Sequence, residues 1–144
     1  MTAGRGALAS LIPHQGDMCL LERVLRWSGT EIACSATSHR DPGNPLRDEG
    51  ILPAHAGIEY GAQAMAAHGA LSGGMAPGAI GYLAAARDVH LHVLRLDDVA
   101  EELEVHCQKL LAEGGRLLYG FAIRAGGREL VAGRLTVVLR GDRS

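Results

Sequence analysis

The chain has 144 residues, 47% hydrophobic and 21% charged, with a formal net charge of -2. That is the size of one domain with a real core and the balance of an ordinary soluble protein. With no basic block and only five aromatic residues (one Trp, three Tyr, one Phe), it provides for neither phosphate neutralisation nor base stacking, which argues against a nucleic-acid partner. No apolar run approaches the length that crosses a bilayer, so membrane insertion is not expected. Residues 1–10 lack an apolar signal core. Cys19, Cys34 and Cys107 are scattered with no C-x-x-C spacing and read as buried small hydrophobes in a reducing cytoplasm.

Taken in chain order, residues 7–13 suit a short helix or turn, followed by a polar loop from His14. Cys19 to Arg26 and Glu31 to Thr37 read as two strands about a turn at Trp27 to Thr30. His39 to Gly50 is loop, with most of the chain's turn chemistry in Asp41-Pro42-Gly43-Asn44-Pro45. Pro53 then suits the first turn of a helix, where its missing N–H would have no partner anyway. That helix runs to about Leu71 and stops at Ser72-Gly73-Gly74.

Four extended stretches come after it: Tyr82 to Val93, Glu102 to Leu111, Arg116 to Arg124 and Arg128 to Leu139. Leu96-Asp97-Asp98 breaks the first from the second, and Gly114-Gly115 and Gly126-Gly127 separate the others. Three long strands joined by tight Gly turns form an antiparallel meander. A strand pair, one helix and a run of strands argue α+β, with the helix lying on one sheet.

The helix is made almost wholly of Ala, Gly, Met and Ile, too thin to face water around most of its circumference. It suits close approach, with a sheet curled tightly around it. Into it the sequence puts one carboxylate, Glu59, with His55 and Gln63 one turn to either side and on a shared face. A carboxylate there is partly desolvated, which raises its pKa and suits it to move protons. The alternative is that Glu59 simply faces solvent beside its two neighbours.

Other candidates carry less. His90 and His92 alternate along one strand face, but no third ligand or H-E-x-x-H motif completes a metal site. Ser28, Ser35 and Ser38 lack a G-x-S-x-G context. Gly73-Gly74 with Pro77-Gly78 is not a phosphate loop, since no G-K-[ST] follows.

The element order and the wording of the central stretch resemble the hotdog fold, in which a long antiparallel sheet wraps one central helix. The stretch is similar to the helix segment of the 3-hydroxyacyl-acyl-carrier-protein dehydratases, H-F-P-G-x-P-V-x-P-G-x-x-x-x-E-A-x-A-Q. Leu52-Pro53 matches the x-P before the helix, Glu59 the catalytic Glu and Ala62-Gln63 the A-Q. Leu11-Ile12-Pro13-His14 and Met18 to Val24 are similar to that family's L-L-P-H-R-x-P-x-L-L-V-D-R-V. Asn44-Pro45-Leu46, together with Leu52 to Gln63, resembles more closely still a divergent subgroup, the dehydratase-like proteins of aryl-polyene pigment synthesis.

The resemblance implies a single hotdog domain over residues 1–144. It also implies dehydration of a 3-hydroxyacyl thioester, delivered by acyl-carrier protein or coenzyme A on a phosphopantetheine arm through a narrow apolar tunnel. No cofactor is implied. Subunits of the family pair so that two sheets run on as one, which makes a homodimer the minimum unit, with the site between the helix of one chain and a loop of the other.

Dehydration needs a base and an acid, or one group serving as both in turn. The family's His stands fourteen residues before the Glu, a register that falls here on Pro45. Its replacement is sought in His39, from the loop, or in His55, on the helix face of Glu59; His14 and His68 read as structural. The thioester oxygen needs donors as charge develops, which the N–H groups of Ala54, His55 and Ala56 at the helix start are expected to supply, with Gly50, Pro53 and Gln63 shaping the site. Two other readings stay open: a hotdog thioesterase in which Glu59 activates water, and a non-catalytic acyl-binding subunit of a heteromeric dehydratase.

Overall fold

The computed structural model describes residues 19–73 and 80–140; the expected N-terminal turn, His14 and the Pro77-Gly78 turn lie outside them. The elements are β1 (Arg23–Trp27), β2 (Glu31–Ala36), a 3-10 turn at Ser38–Arg40, a second at Ala54–Ala56, α1 (Gly57–Ser72), β3 (Ile80–Leu91), β4 (Leu103–Glu113), β5 (Arg116–Ala125) and β6 (Arg128–Arg140). The strands form one six-stranded sheet in the order β1-β2-β4-β5-β6-β3, every neighbouring pair antiparallel. This is the expected α+β architecture, a hotdog fold.

The expected meander is β4-β5-β6, and its turns show why the paired glycines stand where they do. Gly114 and Gly115 have φ of 58° and 79°, Gly126 and Gly127 58° and 78°. Two consecutive left-handed residues make the tight turn whose twist matches that of the flanking strands. The first strand is shorter than expected: residues 19–22 are irregular, although Cys19, Leu20 and Leu21 are all buried. β3, the first strand after the helix, pairs with the last, β6, and forms one edge of the sheet.

α1 lies against β2, β4 and β5, and its small residues set the distance. A Cβ on Gly61 would sit 2.8 Å from the Phe121 ring, and one on Gly57 2.8 Å from Ile123 Cδ1. The helix thus approaches the sheet as closely as its composition suggested. Gly73, at φ 73°, ends it in the left-handed conformation.

Its start differs from expectation. Pro53 is extended (φ -67°, ψ 152°) and precedes a 3-10 turn instead of opening an α-helix. A short ladder holds it there, with Leu96 N–H donating to Leu52 O (2.8 Å) and Ala54 N–H to Leu94 O (3.1 Å). All three cysteines are free and buried, and burial pushes the Cys34 thiol up to about 12. Among the described residues no helix is long and apolar enough to cross a membrane.

Candidate active site

The second 3-10 turn and the first turn of α1 wall a cleft of about 310 Å³ lined by Leu46, Pro53, His55, Ala56, Ile58 and Glu59. Two of these six side chains are ionisable and the rest are apolar. His55 is exposed and Glu59 half-buried. Glu59 stands in the first turn of α1, where the helix dipole favours negative charge. An acid–base pair at the mouth of an apolar cleft can move a proton on an apolar ligand that carries a polar head.

The other expected site residues are placed elsewhere. Gln63 is fully buried, its Oε1 accepting Leu20 N–H at 2.9 Å. Each step of four residues advances about 40° around a helix, so the second step from His55 to Gln63 has rotated out of the cleft and under the helix. Gly50 is exposed in a two-residue turn (φ 50° at Glu49, 80° at Gly50), and its carbonyl accepts from Arg47 Nη1 at 2.8 Å. Of the backbone donors expected at the helix start, Ala54 N–H is taken by Leu94 O and Ala56 N–H by Pro53 O (3.0 Å).

His39 does not fold back into the cleft. It is fully buried, with Nε2 3.0 Å from both Val99 O and Glu101 O. Two carbonyls can only accept, so Nε2 carries the proton, and burial lowers the pKa of the ring. It serves as a staple between the loop and the segment before β4, with Arg40 donating to Ala100 O at 2.8 Å beside it.

Asn44, beside the position where the resembling enzymes carry their His, is buried too. Its Nδ2 donates to Ser38 O (2.9 Å) and to Tyr60 OH (3.1 Å), while Oδ1 accepts Leu46 N–H (2.9 Å). Tyr60 OH meets Ser38 Oγ at 2.7 Å, and Ser38 Oγ donates to Leu20 O at 2.6 Å. This network delivers Leu46 to the cleft wall. The sequence reading missed Leu46, whose place depends on the loop's path. It missed Ile58 as well, although three-residue spacing from His55 already put it on that face.

His68 packs under the helix as expected. Nδ1 accepts from Tyr119 OH at 2.5 Å and Nε2–H donates to Ser28 O at 2.8 Å; burial lowers its pKa and raises that of Tyr119. His90 and His92 do share a face, their rings stacked 6.4 Å apart, and His92 pairs with Glu129 at 3.1 Å.

The profile of one protein family, ApeP-like and described as ApeP dehydratase, matches residues 6–143. No curated protein sequence matches the chain. Among solved structures, the dehydratase heterocomplex ApeI:P from Xenorhabdus doucetiae contains a chain 26% identical to this one, with a TM-score of 0.81 over 94% of this chain and 91% of that one. A thioesterase from Haemophilus influenzae is 13% identical, with a TM-score of 0.66 over 98% of this chain and 93% of its own. A hypothetical thioesterase with coenzyme A from Streptococcus pneumoniae is also 13% identical, at 0.59 over 84% and 87%. At that identity the last two are similar in fold alone.

Proposed function

The chain belongs to the ApeP-like dehydratase family, and on that premise we propose that it dehydrates a 3-hydroxyacyl thioester to the trans-2-enoyl thioester, with Glu59 and His55 as the acid–base pair. The observation that carries this reading is their shared place in one otherwise apolar cleft. Glu59, as carboxylate, takes the proton from the carbon beside the thioester carbonyl. The C–H electron pair becomes the new C=C bond as the β C–O bond breaks, and the hydroxyl leaves as water with a proton from His55. With Ala54 N–H and Ala56 N–H already donating within the chain, the N–H of His55 is the donor this reading assigns to the thioester oxygen. Pro53, Ala56, Ile58 and Leu46 take the acyl chain.

The thioester is carried by acyl-carrier protein or coenzyme A, and the protein works in the cytoplasm. The single domain acts as part of a larger assembly, a homodimer or a pair with a second dehydratase chain. Two observations favour pairing. β3 is an edge strand on which Tyr82, Leu83 and Leu91 are exposed, and such an edge is a template for another chain. The similar ApeI:P structure is a heterocomplex.

The test follows 3-hydroxyacyl thioesters by mass spectrometry, on a carrier protein and on a pantetheine mimic, alone and with a candidate partner chain. Loss of one water that disappears in Glu59→Gln and weakens in His55→Ala is the expected result. Release of free acid instead would make the protein a thioesterase. Turnover seen only with the partner chain, and surviving Glu59→Gln, would make it the non-catalytic half of a pair.

A further inference from the structure

We propose that Asp97 is a positioning residue for this reaction: through Leu52 and Arg95 it sets how the 3-10 turn presents His55 and Pro53 to the cleft. The inference rests on the cleft of Glu59 and His55 being the reacting site.

The chain enters the helix through Leu52-Pro53-Ala54, and Pro53 has no N–H. Only two main-chain donors can therefore hold this stretch to its neighbour. Ala54 N–H goes to Leu94 O at 3.1 Å. Leu52 N–H goes to no backbone carbonyl among the described residues but to Asp97 Oδ1, at 2.9 Å. Half of the donor-side anchoring at the helix entrance thus depends on one side chain.

That side chain is itself held from the other side. Arg95 Nε lies 3.1 Å from both Asp97 oxygens and Nη2 2.5 Å from Oδ2, a forked, charge-assisted pair. Asp97's side chain is only 8% exposed, and the guanidinium holds its carboxyl down to about 2. Arg95 is also the residue whose backbone bridges Pro53. Arg95 therefore stands opposite Pro53 in the ladder whose main-chain bonds Leu94 and Leu96 make, and its side chain holds the carboxylate that binds Leu52. Leu52 and Ala54 point inward, Pro53 lines the cleft and His55 is exposed. A loosened ladder lets that alternation drift, and a misplacement of about 1 Å in a reacting group can cost roughly a hundredfold in rate.

The experiment compares wild type, Asp97→Ala, Asp97→Asn and Arg95→Ala, with turnover scaled to folded protein. In Asp97→Ala we expect kcat to fall roughly ten- to a hundredfold with KM nearly unchanged. Asp97→Asn keeps an acceptor for Leu52 N–H and recovers part of the loss. By NMR, the His55 imidazole resonances move in Asp97→Ala while those of His106, on β4, stay in place. Arg95→Ala keeps the Leu52 bond and carries the same readouts should Asp97→Ala not fold. An unchanged kcat and unmoved His55 resonances overturn the proposal, whatever happens to Tm. If the wild type dehydrates no 3-hydroxyacyl thioester, the functional reading fails separately, and the His55 resonances with Leu52 amide exchange decide the positioning.

Discussion

The two faces of α1 carry the same kinds of residue under opposite constraints. Toward the sheet, Gly57, Tyr60, Gly61, Ala64 and His68 are buried, and each polar atom among them has a partner: Tyr60 has Ser38 and Asn44, and His68 has Tyr119 and Ser28. Away from it, Ile58, Glu59, Ala62 and Ala66 are half-buried, and Glu59 borders a cleft. A buried polar group without a partner costs about 1–3 kcal/mol, so the inner face spends its polarity on structure. The outer face leaves Glu59, next to His55 of the preceding 3-10 turn, bordering a cleft. The difference separates polar groups committed to packing from one left open to a cleft along a single helix.

Substitutions on the two faces should therefore fail in different ways. The largest effect belongs to the outer face: Glu59→Gln lowers turnover by about two to four orders of magnitude while the urea midpoint hardly moves. On the inner face, Gly61→Ala drives a Cβ to 2.8 Å from the Phe121 ring and costs about 1–3 kcal/mol in urea unfolding, with turnover per folded molecule largely kept. Tyr119→Phe leaves His68 Nδ1 without its donor and costs about 1 kcal/mol or somewhat more by the same measurement; a variant as stable as wild type would show that the short Tyr119–His68 contact contributes nothing.

The smallest effect is with pH. Burial lowers the folded-state pKa of His39 and His68 below their ordinary value. The unfolded chain then binds more protons below about 6.5. Stability is full above that pH and declines as pH falls toward the folded pKa values. The Asp97 carboxyl, held near 2, adds a separate loss as pH falls from about 4 toward that value. Urea midpoints from pH 8 to pH 3 should be flat at first, then slope down, and His68→Gln should shallow the first slope.

Local chemistry made much of this legible. Paired glycines marked both turns of the meander, because consecutive left-handed residues are nearly exclusive to them. The Ala/Gly composition of the stretch from Pro53 to about Leu71 announced a helix pressed on a sheet, and Glu59 with His55, four residues apart, announced a shared face. Periodicity reached its limit one turn later. Gln63 continues the spacing from His55 but lies under the helix, because the interval drifts by about 40° at each step.

What the sequence determined by itself is therefore whatever depends on near neighbours: the strands, their turns, the helix and the shared face of Glu59 and His55. Only the tertiary structure decided which histidine is a staple. His39 and His55 both flank the helix entrance in sequence, yet one is held by the carbonyls of Val99 and Glu101 and the other borders the cleft. It also decided that β3 pairs with β6 and that Asp97 holds Leu52 across forty-five residues of chain. Such contacts exist only once the sheet has closed around the helix, and no local pattern encodes which distant carbonyl or amide will be waiting there.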